Sequence, residues 1–173
     1  IEGVYHCHNC GWEGSVNNGN GNGTNGLGQI HTAYDYPDEN EKLLYQSVRF
    51  IPKSFRQRRP DGNGGWIWRL GDVRRVPYRL PELIACTGPV YIPGGEKDVE
   101  TLRNYGLTAT TNAGGEGNWN QEFNEYLRGR DVVILEDNDE KGRKHGQVIS
   151  ESLFGTANEI RIIRFEELSQ GGD

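Results

Sequence analysis

Residues 131–135 read Asp-Val-Val-Ile-Leu, with four apolar side chains in consecutive positions. Successive side chains of a strand point to opposite faces, so a strand built from this run is covered on both sides. Such a strand belongs in the middle of a parallel sheet with helices above and below. The neighbouring sequence supplies the alternation that this sheet needs. Val90–Ile92 is a short apolar strand, and Lys97–Tyr105 is a helix with Val99, Leu102 and Tyr105 on one face. Leu107–Thr111 is a β-branched strand. Trp119–Leu127 is a helix with Trp119, Phe123, Tyr126 and Leu127 inward. Asp139–Phe154 is a third helix and Ile160–Phe165 a last strand. The order β-α-β-α-β-α-β predicts a four-stranded parallel sheet. Ligands of such sheets bind beyond the carboxyl ends of the strands. That rule puts Gly94–Asp98, Asn112–Trp119 and Glu136–Asp139 along one edge.

The preceding part of the chain has another character. Residues 29–80 read as three or four antiparallel strands. His31–Tyr36 alternates, and PDEN supplies a turn. In Leu43–Ile51, Leu44, Gln46, Val48 and Phe50 share one face. RPDGNGG is a dense turn signal ahead of Trp66-Ile67-Trp68, and an irregular segment runs on to Pro81. The fold class is therefore α/β, or α+β overall, and the chain divides into four parts. Residues 1–14 are a compact Cys/His-rich module and residues 15–28 (SVNNGNGNGTNGLG) a flexible linker. Residues 29–88 are a basic β-rich subdomain, and 89–173 the parallel-sheet domain.

Charge follows this division. Arg49–Leu80 holds nine Lys/Arg against two Asp/Glu, a net of +7 in 32 residues, whereas the other 141 residues carry a net of −13. One surface is thus suited to phosphates and another to metal or solvent. No apolar run approaches the roughly 18 residues of a membrane helix, and none near the start resembles a secretory signal. Three cysteines make no disulfide framework, which points to a reducing, cytoplasmic setting. With no Met and with Ile at position 1, the chain reads as a fragment of a longer protein.

Four motifs carry chemistry. In LEDNDEKG (135–142) a buried strand ends in Glu136, Asp137 and Asp139 at the start of a helix. Asp137 and Asp139, two apart, can share one face. Such hard oxygen ligands suit Mg²⁺ or Mn²⁺ bridging to substrate phosphates; the alternative is that Asp139 only caps the helix. In YIPGGEKD (91–98) Gly94 and Gly95 allow a tight turn and a close backbone approach. The segment has neither the lysine pattern of a phosphate-binding loop nor the third glycine of a dinucleotide fingerprint. The basic stretch places Arg49, Lys53, Arg56, Arg58 and Arg59 to line a path for phosphates, with Trp66 or Trp68 to stack a base. Against this stands a packing role, in which the tryptophans share a face and at least one is core. Cys7-x-x-Cys10 is the fourth motif. His31 and His145 read as ordinary surface residues, and Cys86 as a small buried apolar one.

The first two motifs together resemble the TOPRIM domain of bacterial-type primases, topoisomerases and some nucleases. The matching residues are Gly95 and Asp98, then Asp137-Asn138-Asp139. The stretches FRQRRPDGNGGWIW (55–68), GGEGNW (114–119) and LRGRDVVILEDNDEKGRKH (127–145) are similar to those of TOPRIM primase-like proteins of phages and mobile elements. The resemblance implies primer synthesis on a single-stranded DNA template from nucleoside triphosphates. It implies Mg²⁺ on Asp137 and Asp139 with Glu136 nearby, and a helicase or ATPase region in the parent protein. Arg56, Arg58, Arg59, Lys53, Trp66, Lys97 and Asn118 form the implied nucleic-acid and nucleotide contacts; Gly94, Gly95 and Asp98 shape the turn. Cys7 and Cys10 look like the second knuckle of a Zn²⁺ ribbon, whose first knuckle is expected upstream. The sequence departs from the family twice, with Gly94 in place of Glu and Asn118 in place of Lys. Glu96 then stands as the substitute acid/base. A TOPRIM nuclease or topoisomerase module and a silent nucleic-acid-binding domain are the alternative readings.

Overall fold

A computed structural model of the chain describes residues 4–6, 13–15, 28–115 and 117–164. Strands β1 (Val4–His6) and β2 (Glu13–Ser15) pair antiparallel, with Tyr5 opposite Gly14. They bracket Cys7 and Cys10 in sequence; those cysteines, like residues 16–27 of the Gly/Asn-rich linker, lie outside the described residues.

A four-stranded antiparallel sheet follows, ordered β3 (Gln29–Pro37), β4 (Leu43–Ile51), β5 (Ser54–Pro60) and β6 (Trp66–Ile67). Its turns are built by aspartates. Asp38 Oδ1 accepts from the amides of Asn40 and Lys42, and Asp61 Oδ1 from those of Asn63 and Gly65 at 2.8 Å. Gly28 meets the sheet so closely that a Cβ there would fall 1.9 Å from the Ile51 carbonyl oxygen. On one face Tyr36 stacks on Tyr45 with ring centroids 4.6 Å apart, and Tyr34 and Tyr78 close the cluster. Leu70, Val76, Leu80, Val99 and Ala109 complete this first core.

The parallel sheet has the order β7 (Val90–Ile92), β8 (Asp131–Glu136), β9 (Glu159–Arg164), with the Val-Val-Ile run in the centre and buried. Among the described residues it has three strands rather than the expected four. Leu107–Thr111 contributes one bridge, Tyr91 to Ala109, made by Tyr91 N–H to Thr108 O and Thr110 N–H to Tyr91 O. Its β-branched residues favour extended backbone, but only that one position finds a ladder partner. Helix α2 spans Glu96–Asn104 and α3 spans Glu140–Leu153. The third expected helix is a 3-10 helix over Gln121–Leu127, capped by Asn120, which accepts from the Glu122 amide. Phe123 and Leu127 are buried as expected, with Trp119 and Tyr126 packed against the second core of Leu83, Val90, Ile92, Val132, Ile134, Ile149 and Leu153.

One element was not anticipated. Helix α1 (Leu80–Ala85) starts where Pro81 reads as a break. Proline is well tolerated in a first helical turn, where its missing N–H has no partner to lose. Leu80 packs into the first core and Leu83 into the second, so this short helix joins them. No helix of the described residues is long and apolar enough to cross a membrane.

Candidate functional site

The carboxyl ends of the parallel strands bring the two glycine- and acid-rich motifs together. Asp137 follows β8 directly, and Asp139 is the N-cap of α3, its Oδ1 accepting from the Gly142 amide at 2.7 Å. Both the capping and the edge positions expected for Asp139 are therefore realised in one residue. Gly142 lets the first turn of α3 lie against Asp137, because a Cβ there would come within 2.7 Å of the Asp137 Cβ and carbonyl oxygen. Across the edge, a Cβ on Gly94 would lie 2.7 Å from Asp137 Oδ2, and one on Gly95 would lie 3.7 Å from Asp98 Oδ2. Gly94 is not in the left-handed region, so its lack of a side chain serves space rather than backbone conformation.

Glu136 points elsewhere. It is 3 % exposed, its Oε2 accepts from Arg164 Nε at 2.7 Å, and Gly146 of α3 presses on it. Glu96 is buried as well and accepts from the Tyr36 hydroxyl at 2.9 Å. Burial first, and the Glu96 charge second, hold the Tyr36 phenol well above its ordinary range, so it stays a donor. Lys97 stands exposed in the first turn of α2. Among the described residues no three His, Cys, Asp or Glu side chains gather as a metal cage. What the edge offers is the pair Asp137 and Asp139. Two carboxylates fit a cation such as Mg²⁺ that completes its shell with waters and substrate phosphates.

A groove runs between the antiparallel sheet and the loop 112–120. Two adjoining hollows of about 320 and 300 Å³ share Gln57, Arg75 and Gly114. Arg56, Arg69 and Trp68 line the first hollow; Tyr45, Asn112, Asn118, Asn120 and Phe123 line the second. Arg75 is held there by donating to Val73 O at 2.5 Å. Asn112 is 2 % exposed and donates to Gly115 O at 2.8 Å, while its Oδ1 has no partner among the described residues. Asn118 donates to Gly114 O at 2.8 Å.

Of the basic residues singled out from sequence, Arg56 is exposed on this groove. Lys53 is exposed at the β4–β5 turn. Arg58 is packed: its guanidinium lies 4.0 Å from the Trp66 ring centroid and 5.1 Å from that of Trp68, and its Nε donates to Gln46 Oε1 at 2.7 Å. Arg59 is partly buried, its Nε without a partner among the described residues. The tryptophans do share a partner, but neither is core: both are partly buried, and it is Trp68 that lines the groove. Reading the sequence missed Arg69, Arg75, Gln57 and Asn120, and placed Asn112 only as one end of the edge segment 112–119. The two arginines were visible only as part of the charge count.

Cys86 and His145 stand elsewhere than expected. Cys86 is half-buried rather than core, with its thiol 3.7 Å from Gly88 O. His145 is 4 % exposed, not on the surface. Its Nδ1 accepts from the Gly117 amide at 3.0 Å, and burial lowers the imidazole's affinity for a second proton. His31 is exposed, as expected.

No protein-family model matches the chain, and no curated protein matches its sequence. Solved structures do share its fold. The catalytic core of E. coli primase matches with a TM-score of 0.58 and 16% identity, over 80% of this chain and 45% of that one. A DnaG catalytic core matches with 0.58 and 18%, over 82% and 46%. The primase fragment of the bacteriophage T7 primase-helicase protein matches with 0.50 and 15%, over 98% and 92%. This chain spans under half the length of the first two. The fold is that of a primase catalytic core.

Proposed function

We propose that this chain is a TOPRIM-type primase module, which joins nucleoside triphosphates into short primers on single-stranded DNA. The observation that carries the reading is the primase-core fold with two carboxylates at its strand-end edge and an arginine-lined groove between its antiparallel sheet and the loop 112–120. Asp137 and Asp139 would hold Mg²⁺ or Mn²⁺. When bound there, the ion neutralises nucleotide phosphate charge and lowers the pKa of an attacking 3′-hydroxyl. Arg56, Arg69 and Arg75 bind phosphates, Asn118 and Asn120 orient the ligand from the opposite wall, and Trp68 offers a ring face. Glu136, paired with Arg164, supports the edge from behind. Cys7 and Cys10 would supply two of the four ligands of a structural Zn²⁺. The phage or mobile-element setting, a helicase or ATPase region in the parent protein and a cytoplasmic location belong to the same proposal.

A second reading is favoured by one set of residues. With Gly94 and Asn118 in place of the family's Glu and Lys, and with Glu96 tied to Tyr36, the edge lacks an acid/base group. The domain would then bind nucleic acid without making primers. Incubation with single-stranded DNA, four ribonucleotides and Mg²⁺ separates the readings. New short RNA supports the primase, shortened DNA indicates a nuclease, and binding without either product supports the silent module.

A further inference from the structure

The groove's glycine-rich wall is held from a distance. Gly114, Gly115 and Gly117 have φ of 91°, 71° and 82°, conformations that need glycine and that leave the loop little stiffness of its own. Asn112 and Asn118 fasten the carbonyls of Gly115 and Gly114 from within the same loop. The Gly117 amide is fastened from α3, by Nδ1 of His145 at 3.0 Å. His145 lies on the buried stripe of that helix, with Gly142, Gly146, Ile149 and Leu153. Its Nε2 is buried with no partner among the described residues. An apolar residue on that stripe would avoid the desolvation of an imidazole nitrogen. A histidine kept there does what an apolar side chain cannot: it accepts the amide of a loop that lines the groove.

We propose that His145 is a positioning residue for the groove. Neutral, and accepting at Nδ1, it fixes the 114–118 loop so that Gly114 and Asn118 stand against Gln57 and Arg75 as one wall of a site for a phosphate-bearing chain. The inference rests on the reading of that groove as a nucleic-acid site, and adds to it a residue outside the groove that sets its shape.

His145→Phe keeps the ring volume and removes the acceptor. His145→Asn places an amide oxygen near the position of Nδ1 and restores it. Two measurements are made on each: amide hydrogen exchange at Gly117, and fluorescence-anisotropy binding of a labelled single-stranded oligothymidylate. A hydrogen bond of this kind is worth roughly a factor of 2–10. His145→Phe is expected to speed Gly117 exchange and weaken oligothymidylate binding by about that factor, with exchange in β8 unchanged, and His145→Asn to bring both back toward the parent values. Unchanged Gly117 exchange in His145→Phe overturns the inference, and so does faster exchange with unchanged affinity. If the parent chain itself fails to bind the oligonucleotide, the reading of the groove fails instead, while the exchange comparison still decides whether His145 holds the loop. If His145→Phe does not fold, His145→Gln, whose amide reaches past the Nδ1 position, takes its place against His145→Asn. Equal Gly117 exchange in those two variants overturns the inference.

Discussion

Position 94 decides how the strand-end edge handles charge. A glutamate there has to share space with the Asp137 carboxylate, since its Cβ alone would stand 2.7 Å from Oδ2. Asp137 is the far end of a side chain and can turn, and the backbone at 94 is not left-handed, so Gly94→Glu is expected to fold. A third carboxylate raises repulsion at the edge, and a divalent cation relieves it. Gly94→Glu should therefore tighten Mg²⁺ binding by calorimetric titration and raise primer synthesis. If it folds and binds Mg²⁺ no better, the assignment of the edge to metal is wrong. At Glu96 the same scale gives a stability effect. Tyr36→Phe leaves a buried carboxylate without its donor, a loss of about 1–3 kcal/mol, whereas Glu96→Gln keeps an oxygen for the Tyr36 hydroxyl and should lose less. Urea unfolding of the two variants measures the difference, and equal losses would remove the pair from any role in joining the sheets. The acids at 137 and 139 were legible because a strand end followed by a helix start fixes where such residues point. His145 was not, although its spacing of three from Gly142 and four from Ile149 marks the buried stripe of α3.

At the scale of elements, strand β5 sorts its arginines. Arg58 is clamped by Trp66, Trp68 and Gln46, whereas Arg56 stands exposed on the groove with Arg69. A phosphate contact contributes about −0.7 to the log–log salt slope of single-strand binding. Arg56→Glu with Arg69→Glu is expected to flatten that slope while leaving the fold intact. Arg58→Glu is expected to lower thermal stability, because it puts an anion between two ring faces. An unchanged slope in the double variant would move the binding surface off the groove. Helix α3 gives a pH dependence. Burial holds the His145 imidazole below its usual range, so the unfolded chain takes up a proton that the folded chain excludes. Its contribution to stability is complete above about pH 6.5 and is lost as pH falls through the lowered folded value. The urea midpoint of the parent should drop more than that of His145→Asn between about pH 7.5 and 5.5; parallel curves would contradict this. Strand and helix alternation was readable in these elements because each carries its period. Helix α1 was hidden by Pro81, and the fourth strand shrank to one bridge because propensity cannot supply a partner.

The described residues form two cores joined through Leu80 and Leu83, and their buried apolar residues lie between Tyr34 and Leu153. The groove was illegible in sequence for a related reason: its walls come from 45–57, 68–75 and 112–123, which only the tertiary fold brings together. Among the described residues none before Tyr34 belongs to either core, and the two sheets are therefore expected to hold without a metal at Cys7 and Cys10. Residues 15–28 are mostly Gly and Asn, a composition with few apolar side chains to bury. Limited proteolysis is therefore expected to cut first within that stretch and to leave a resistant piece beginning near residue 29. That piece should melt cooperatively at the same temperature with and without a zinc-selective chelator. It should also keep its affinity for single-stranded DNA, since Arg56, Arg69 and Arg75 all lie within it. Mass spectrometry of the fragments and a melting curve by circular dichroism test both statements. Cooperative loss of the β7–β9 sheet on chelation of the intact chain, with the piece unaffected, would mean that the knuckle holds the parallel domain in place. First cleavage inside 29–164 would mean that the two cores are less firmly joined than Leu80 and Leu83 imply.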